Sequence, residues 1–345
     1  MLNPESWSEA KFPADGPPLL AVVVDTEEEF DWALPHGREN TSVASVRHQE
    51  RAHKIFAEFG IKPTYVVDYA VASQTDGYRP LGELFADGLC EIGAHLHPWV
   101  NPPFEEMVNY RNSYPGNLPR NLEKAKLEHL TLEIENRFGV RPTVYRAGRY
   151  GVGQASAAIL EELGYLVDSS VVPYTNFSRD DGPDFSGCPS KPYWFGGGQK
   201  LLEIPVTAGF AGLLGGGFPG KSGRNLYKAV SGPLGLRFHL PGVLARSGVL
   251  ERIRLTPEGV SHAERCRLTR ALLAGGHRVF TFNYHSPSLE PGNTPYVRTP
   301  AELDAFLDDF RRYFDYFLGD LGGCPATLGE IGALAADGVA RTGTP

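Results

Sequence analysis

Short apolar runs alternate with amphipathic segments along most of the chain. The first run, "LLAVVV" at 19–24, has the length and β-branched content of a buried strand. Residues 43–60 follow with apolar side chains at helical spacing and end at Gly60, which is typical of a helix C-terminus. Such strand–helix alternation continues along the chain and predicts an α/β fold with a mostly parallel sheet, open or closed into a barrel.

The other predicted elements follow the same rhythm up to one long interruption. Further strands are predicted at 62–68, 89–97, 141–148, 165–170, 200–210 and 277–285. Further helices are predicted near 79–87, 122–139, 153–163, 260–274 and 300–318. The Gly- and Pro-rich residues 211–257 break the alternation and predict an insertion or lid. We therefore expect an N-terminal extension at 1–18, a single domain at 19–330 and a C-terminal tail at 331–345.

Composition narrows the functional classes. The chain has 345 residues, 41% of them apolar, which is enough for one large domain, and its net charge of −8 argues against a nucleic-acid or anionic-membrane surface. It contains no apolar run of roughly 18 residues, so no membrane span is expected. Residues 1–18 lack the apolar core of a signal peptide. The cysteines Cys90, Cys188, Cys266 and Cys324 form no CxxC pair, which favours reduced thiols and a cytoplasmic location.

Polar side chains gather where two of the predicted strands end. The first strand runs into Asp25-Thr26-Glu27, and another ends in His95-Leu96-His97. Because residues i and i+2 of an extended chain share a face, Asp25 and Glu27 can point the same way, as can His95 and His97. One carboxylate and two imidazoles would form a three-ligand metal site, and an open fourth position would make that site catalytic.

Three more polar residues follow other strands: Arg146, Asp168 and His285. Each feature has an ordinary explanation when taken alone, such as an acidic turn, a histidine at a loop start, a surface ion pair or a helix cap. In both open and closed parallel α/β folds, however, function gathers at the carboxyl ends of the strands. Joint placement at the ends of five strands therefore favours a single site.

The order of these motifs resembles the polysaccharide deacetylases of the NodB-homology type, carbohydrate esterase family 4. "VVDTEEEFDW" is similar to the first motif of that family, "EIGAHLH" to its histidine motif and "YRAGRYG" to its arginine motif. "LEIPVT" and a last strand that ends in a histidine also match, and "DSSVVP" and "NYHSPSLEPGNTPY" resemble WalW-like bacterial proteins. The resemblance spans residues 19–318 and implies a distorted (β/α) barrel of about seven strands.

The resemblance also implies an activity, namely hydrolytic removal of an acyl group, usually acetyl, from an amino sugar or glycan precursor. By position, Asp25 would be the general base, Arg146 would hold it, and His285 would be the general acid. Glu27 and His95 would bind one divalent metal ion. Zinc is the first candidate for such ligands, and Mn²⁺, Co²⁺ and Ni²⁺ are alternatives.

One position departs from the family pattern. The second metal histidine usually lies four residues after the first, where this chain has Trp99. His97, at i+2, is the nearest substitute and is predicted to bind the metal in its place. Tyr150, Trp99 and Asp168 are predicted to contact the substrate, and Asp168 is also a candidate carboxylate partner for His285.

Two other functional classes remain open. "GGGFPGKS", residues 215–222, fits the phosphate-binding pattern G-x-x-x-x-G-K-[ST] and would indicate a nucleotide-binding protein. No strand directly precedes it, Pro219 removes an N–H that a phosphate cradle would use, and a chance match is easy in a chain with 40 glycines. The other class is a metal-free sugar-binding barrel with a decayed site, which the metal content of the purified protein would distinguish from an enzyme.

Overall fold

The structure is a computed structural model that describes residues 7–212 and 249–342, together with residues 227 and 237. The strands of these residues are β1 (Ser8–Glu9), β2 (Leu19–Thr26), β3 (Thr64–Val67), β4 (Glu91–Leu96), β5 (Val144–Ala147), β6 (Val167–Asp168), β7 (Tyr193–Phe195), β8 (Leu201–Glu203), β9 (Ala208–Ala211), β10 (Glu251–Arg254), β11 (Val279–His285) and β12 (Cys324–Pro325). The main helices are α1 (Gln49–Glu58), α2 (Tyr69–Ser73), α3 (Thr75–Ala86), α4 (Arg120–Phe138), α5 (Ser156–Leu163), α6 (His262–Ala274), α7 (Pro300–Phe314) and α8 (Leu328–Thr342).

Most of the strands form one sheet in the order β1-β7-β8-β6-β5-β4-β3-β2-β11, and β12 adds beside β2. In this order, each strand from β8 through β6, β5, β4, β3 and β2 to β11 is parallel to its neighbour. β7 runs antiparallel to both β8 and β1. The predicted α/β class with a mostly parallel sheet is therefore confirmed. Because the strands are parallel, their carboxyl ends meet at one rim, where β2, β4, β5 and β11 deliver their polar ends.

Side chains span the gap between the two ends of the parallel sheet. The backbone N–H of Thr207, just after β8, donates to Thr281 Oγ1 at 2.9 Å, and the N–H of Thr281 in β11 donates to Thr207 Oγ1 at 2.8 Å. The N–H of Asn283 donates to the carbonyl of Leu255 at 3.3 Å. The result is a distorted barrel in which hydroxyl groups replace part of the strand ladder.

The core explains why β2 reads as a continuous apolar run. Leu20, Val22 and Val24 pack into a large cluster with side chains of the surrounding helices. Ala21 and Val23, which point the other way, pack into a second and smaller cluster. Because both faces of β2 are buried, neither face requires polar residues until the strand ends at the rim.

Two segment predictions differ from the structure. Residues 200–210 form two strands rather than one, because Pro205 between β8 and β9 has no N–H to donate to a ladder. Of the residues expected as a tail at 331–345, residues 331–342 form most of α8, whose Leu328, Ile331 and Ala335 are fully buried in the smaller cluster. Their spacing of three and four residues gives a narrow apolar stripe, which the small residues around it obscure in the sequence.

The predicted insertion at 211–257 begins and ends in paired strands. β9 and β10 form an antiparallel pair in which Ala208 is opposite Arg254 and Ala211 is opposite Glu251. Most of the chain between these strands, including residues 215–222 with the phosphate-binding pattern, lies outside the described residues. The pairing matters for the site because the chain leaving β10 carries Glu258 to the rim.

Two compositional expectations can be compared with the described residues. Cys90, Cys188 and Cys266 are buried and Cys324 is exposed, and all four are free thiols. Within the ranges given above, no helix has both the length and the apolar content that a membrane crossing requires.

The burial of α8 leads to a stability prediction. Ile331→Ala should lower the free energy of unfolding by roughly 2–4 kcal/mol, because it removes methyl groups from a fully buried position. Leu334→Ala is the matched control on the same helix, since Leu334 is 49% exposed and its truncation should change stability by less than about 1 kcal/mol. Urea unfolding followed by circular dichroism measures both. Equal small losses for the two variants would mean that α8 is a detached tail.

Candidate active site

Three side chains with metal-binding atoms meet where β2 and β4 end. Glu27 Oε2 lies 3.5 Å from Nε2 of His95 and 3.5 Å from Nε2 of His97, and all three side chains are buried. Glu27 Oε1 is also buried and has no hydrogen-bond partner among the described residues. Burial of a carboxylate oxygen without a partner costs free energy, and a cation bound at this point would be that partner. The three donors therefore fit a divalent metal ion.

Both imidazoles are held with Nε2 toward Glu27. His95 Nδ1 donates to the backbone carbonyl of Arg146 at 3.0 Å, and His97 Nδ1 donates to Glu28 Oε2 at 2.8 Å. An acceptor at Nδ1 fixes the tautomer and leaves the lone pair on Nε2, as in histidines that bind metals. The two histidines do face the same carboxylate, as their i, i+2 spacing predicts.

The protonation states also suit metal binding. Burial lowers the pKa of His95 to about 3 and the pKa of His97 to about 4, so both rings are neutral at pH 7. Neutral imidazole is the form that binds metals. Burial raises the pKa of Glu27 well above the usual carboxyl range. A cation beside Glu27 would offset that cost and keep the carboxylate ionised.

Glu28 and Trp99 lie behind His97 and set its orientation. Trp99 Nε1 donates to Glu28 Oε1 at 2.6 Å, while the other oxygen of Glu28 accepts from His97. The Trp99 ring stacks between His97 and His36, with centroid separations of 4.2 and 4.1 Å. Trp99 is only 1% exposed and does not line the cavity described below, so its predicted contact with substrate has no geometric support. Its position orients His97 instead.

Asp25 lies beside the metal-binding group and is held by Arg146. Arg146 Nη1 donates to Asp25 Oδ1 at 2.7 Å, and both side chains are buried. Burial alone would raise the pKa of Asp25, but the charge of Arg146, together with that of protonated His285, lowers it below its usual value. Asp25 is therefore ionised at neutral pH, and its Oδ2 atom faces His285.

The remaining donors of Arg146 hold its guanidinium in place. Nε donates to the Ser169 carbonyl at 2.9 Å, and Nη2 donates to Ser169 Oγ at 2.9 Å and to Asn283 Oδ1 at 2.8 Å. A buried arginine is tolerated only when its charge is paired and its N–H groups are satisfied. These bonds connect β5 with the ends of β6 and β11, so the direction of the guanidinium is fixed by three strands.

His285 lies directly opposite Asp25 in the β2–β11 pairing. His285 Nε2 is 3.6 Å from Asp25 Oδ2, and its Nδ1 donates to Glu258 Oε2 at 2.7 Å. Burial would lower the pKa of His285, but Glu258, with help from Glu27 and Asp25, raises it to about 10. His285 therefore carries a proton at neutral pH.

The suggested pairing of His285 with Asp168 is wrong, because Glu258 is its partner. Asp168 is 1% exposed, accepts from Ser170 Oγ and does not line the cavity. Ser170 Oγ in turn accepts the backbone N–H of Ala147 at 2.9 Å. Asp168 thus fixes the end of β5, and its predicted contact with substrate has no geometric support. Glu258 was not predicted, because it comes from the end of an insertion that carries no recognisable pattern.

The turn after β5 brings the main chain against His97. A Cβ atom on Gly148 would lie 2.4 Å from His97 Cδ2 and 2.4 Å from the Leu96 carbonyl oxygen, so only glycine fits there. The next residues, Arg149 and Tyr150, have φ angles of 53° and 59°, in the left-handed region that side chains other than glycine rarely adopt. Strained residues of this kind cluster at functional sites.

A cavity of about 330 Å³ opens onto both halves of the site. Its polar lining includes Asp25, Glu27, His95, His97 and His285. Its walls are largely aromatic, with Phe30, Trp32, Tyr110, Tyr114, Tyr150 and Phe177. Apolar and aromatic walls around a few convergent polar groups are typical of small-molecule sites. Tyr150 is the one predicted substrate contact outside the reacting groups that this cavity exposes.

Comparisons with known proteins bear on the fold. No protein-family model and no curated protein match the sequence. The chain is similar to the crystal structure of a Mycobacterium smegmatis protein assigned to the polysaccharide deacetylases, with a TM-score of 0.53 and 19% identity over 100% of this chain and 97% of that one. It is also similar to 4-alpha-glucanotransferase from Thermococcus litoralis, with a TM-score of 0.51 and 14% identity over 91% of this chain and 40% of that one.

A weaker likeness is to the catalytic domain of a peptidoglycan N-acetylglucosamine deacetylase from Eubacterium rectale, with a TM-score of 0.41 and 9% identity over 94% of each chain. At the identities of the first two structures, similarity indicates a shared fold and no more. Because a deacetylase-like protein and a glucanotransferase both have this fold, the function must be argued from the site itself. Closeness to WalW-like proteins stays a prediction.

The geometry predicts that His97 is a metal ligand. His97→Ala should lower zinc affinity by more than about 100-fold, because loss of a ligand exceeds the usual effect of changing a residue that only orients a ligand. His36→Ala is the control, since His36 belongs to the same aromatic stack but lies outside the group of three donors. Dialysis against zinc followed by elemental analysis measures bound metal. Full zinc content in His97→Ala would exclude the i+2 histidine as a ligand.

Proposed function

We propose that the protein is a metal-dependent hydrolase that removes an N-acyl group, with acetyl as the first candidate, from an amino sugar or glycan precursor. One observation carries this proposal: metal-binding atoms, an ionised carboxylate and a protonated imidazole line a single cavity. The resemblance of the motifs to polysaccharide deacetylases supports the same chemistry. So does the description of the Mycobacterium smegmatis neighbour as a member of that group.

Glu27, His95 and His97 would hold the ion. When bound, a divalent cation acts as a Lewis acid toward the acyl carbonyl and lowers the pKa of water. Mixed nitrogen and oxygen donors suit zinc first, with Mn²⁺, Co²⁺ and Ni²⁺ as alternatives. Three protein donors are the number that catalytic zinc sites use, whereas structural zinc sites have four.

Asp25 is the general base in this proposal. Arg146 occupies its Oδ1 atom at 2.7 Å and holds the carboxylate ionised, which leaves Oδ2 to take a proton from the attacking water. The same contact orients Asp25, because the guanidinium is itself fixed by Ser169 and Asn283. Arg146 is therefore a positioning residue for the base.

His285 is the general acid. Amide hydrolysis expels an amine, which is a poor leaving group unless it receives a proton as the C–N bond breaks. Glu258 holds the proton-carrying form of His285 and fixes the ring through Nδ1, so Nε2 is the atom that gives its proton into the cavity. An acid with a raised pKa beside a base with a lowered pKa is the arrangement that acid–base catalysis requires.

The strained turn at Arg149 and Tyr150 is expected to aid the reaction through its backbone. N–H groups near Tyr150 would donate to the oxygen that gains negative charge as water attacks the carbonyl. The aromatic walls of the cavity would hold the sugar ring beside that turn. The alternative of a metal-free binding barrel gives no role to the unpartnered Glu27 oxygen or to the charged pair of Asp25 and His285.

The direct test is an acyl-release assay on purified protein. Acetate should be released from acetylated amino sugars by zinc-loaded protein, lost after treatment with a chelator, and restored when the metal is returned. Calorimetry with the sugars and melting curves with Mg-ATP address the other two classes. Sugar binding without acetate release under every metal would favour the binding barrel. A clear Mg-ATP shift would favour the nucleotide-binding protein, because ligand at about 100 times its Kd stabilises a fold by roughly 2.7 kcal/mol.

Asp25→Asn should keep the metal and lose most of the turnover. The amide retains an oxygen for Arg146 but cannot accept the proton, so kcat should fall by about 100- to 10,000-fold. Asp31→Asn is the matched control, since Asp31 is an exposed acid on the segment that follows β2. Zinc content and melting temperature, measured together with kcat, show whether the site is intact. Normal turnover in folded, zinc-loaded Asp25→Asn would exclude Asp25 as the base.

Glu258→Gln tests the acid. The pKa of His285 is raised to about 10 chiefly by Glu258, so removal of that charge should return it toward its usual value near 6.5. Because the protonated form is the acid, the alkaline limb of the pH–rate profile for amide hydrolysis should move to lower pH. An activated ester needs no proton on its leaving group, so its profile should keep that limb in place. An unmoved limb for the amide would argue against His285 as the acid.

A further inference from the structure

We propose that the substrate carries an anionic group, a phosphate or a carboxylate, and that Arg149 recognises it at the wall of the cavity. This inference rests on the proposed function, because it names the class of amino sugar that the site takes. It follows from the position, the surroundings and the charge of the Arg149 side chain, which the hydrolytic steps do not use.

Arg149 lines the catalytic cavity with its guanidinium held in a fixed plane. The guanidinium carbon lies 4.2 Å from the ring centroid of Tyr110 and 4.1 Å from that of Tyr114. One edge of the group is also anchored, because Nη1 donates to Ser113 Oγ and, at 3.4 Å, to the Tyr110 carbonyl. Two aromatic rings and these acceptors remove most of the freedom of a long side chain before any ligand binds.

No carboxylate neutralises this cation within the described ranges of the chain. Two neighbouring arginines, in contrast, are paired: Arg146 with Asp25 at 2.7 Å and Arg111 with Asp181 at 3.7 Å. Nη2 and Nε of Arg149 also have no acceptor among the described residues. The guanidinium therefore presents one free edge with donors in the geometry that matches a carboxylate or a phosphate.

A neutral acylated sugar gives this arrangement no purpose. Arg146 already serves the base, and His285 already supplies the proton for the amine. Partial burial of an unpaired charge is unfavourable, and so is the left-handed backbone of Arg149, with φ of 53°. An anionic ligand in the cavity would offset the first cost directly. The turn that carries Arg149 is also the one that lies against His97, so recognition and chemistry are close together.

The surroundings reinforce a positive potential. Arg254 lines a small pocket of about 30 Å³ that shares Tyr150 and His285 with the catalytic cavity, and it forms no ion pair among the described residues. Asp180 also lines the cavity, and its negative charge opposes this positive potential. It makes no ion pair with Arg149 among the described residues. In a chain with a net charge of −8, unpaired cations at one opening direct anionic ligands to it.

Binding of deacylated sugars tests the proposal without relying on turnover. Glucosamine 1-phosphate and muramic acid present a phosphate and a carboxylate, and glucosamine presents neither. Isothermal titration calorimetry on the full chain should show binding of at least one anionic probe at least about 10-fold tighter than glucosamine. The arm that shows the preference distinguishes the phosphate from the carboxylate. No measurable binding of either anionic probe, or affinity equal to that of glucosamine, would overturn the proposal.

Variants then assign the preference to Arg149. Arg149→Gln should weaken binding of the anionic probe roughly 10- to 100-fold and leave binding of glucosamine unchanged. Arg149→Lys keeps the charge without the planar fork and should give an intermediate loss. Arg111→Gln is the matched control with the same change in net charge near the same rim, and it should retain the preference. A preference that survives in Arg149→Gln refutes the role of this residue.

Two further measurements separate this proposal from the proposed function. Titrations repeated on chelator-treated protein exclude direct binding of the anion to metal, and loss of the preference on chelation would overturn the role of Arg149. If no acylated sugar is hydrolysed but Arg149→Gln still removes the preference, the proposed function fails and the anion site stands. If the wild-type protein and Arg149→Gln both release acetate equally well from neutral and anionic sugars, the proposed function stands and the anion site fails.

Discussion

The buried contact between Arg146 and Asp25 is the interaction on which the rest of the site depends. A guanidinium with no exposed surface must find its hydrogen-bond partners inside the protein, and each of the three side-chain nitrogens of Arg146 does so with Asp25, Ser169 or Asn283. Its backbone carbonyl meanwhile accepts from His95 Nδ1. A single residue of β5 therefore orients the candidate base through its side chain and a candidate metal ligand through its main chain.

This contact also explains why the pKa values of two carboxylates two residues apart shift in opposite directions. Burial works against ionisation of both Asp25 and Glu27, but only Asp25 has a guanidinium beside it, and the pKa of Asp25 is lowered while that of Glu27 is raised. Glu27 faces the neutral imidazoles of His95 and His97. Asp25 is thus ready to take a proton, whereas Glu27 gains most from a cation. The environment of each residue, and not its type, divides the roles.

The sequence predicts the parts of this site that follow from regular strands. Alternation along β2 and β4 indicates which residues share a face, and parallel pairing of β2 with β11 places His285 opposite Asp25. Glu28 could not be selected within the acidic run "DTEEEFD", because spacing alone does not show which acid turns inward. Glu258 and Thr207, which bonds Thr281 across the barrel, lie in irregular chain beside the insertion, where no periodicity indicates their positions.

Trp99 and its neighbours explain how His97 is held in the candidate metal site. A tryptophan where the motif usually has a histidine removes a nitrogen ligand, yet its ring supports His97 from one side at 4.2 Å. Its indole N–H also occupies one oxygen of Glu28, which leaves the other for His97 Nδ1. Together with the Gly148 main chain, which lies against the ring, these two contacts fix the direction in which His97 presents Nε2 to Glu27. Trp99 and Glu28 therefore act as a pair that holds His97 in the orientation which the proposed i+2 metal arrangement requires, while the candidate base and acid stay where the strands put them.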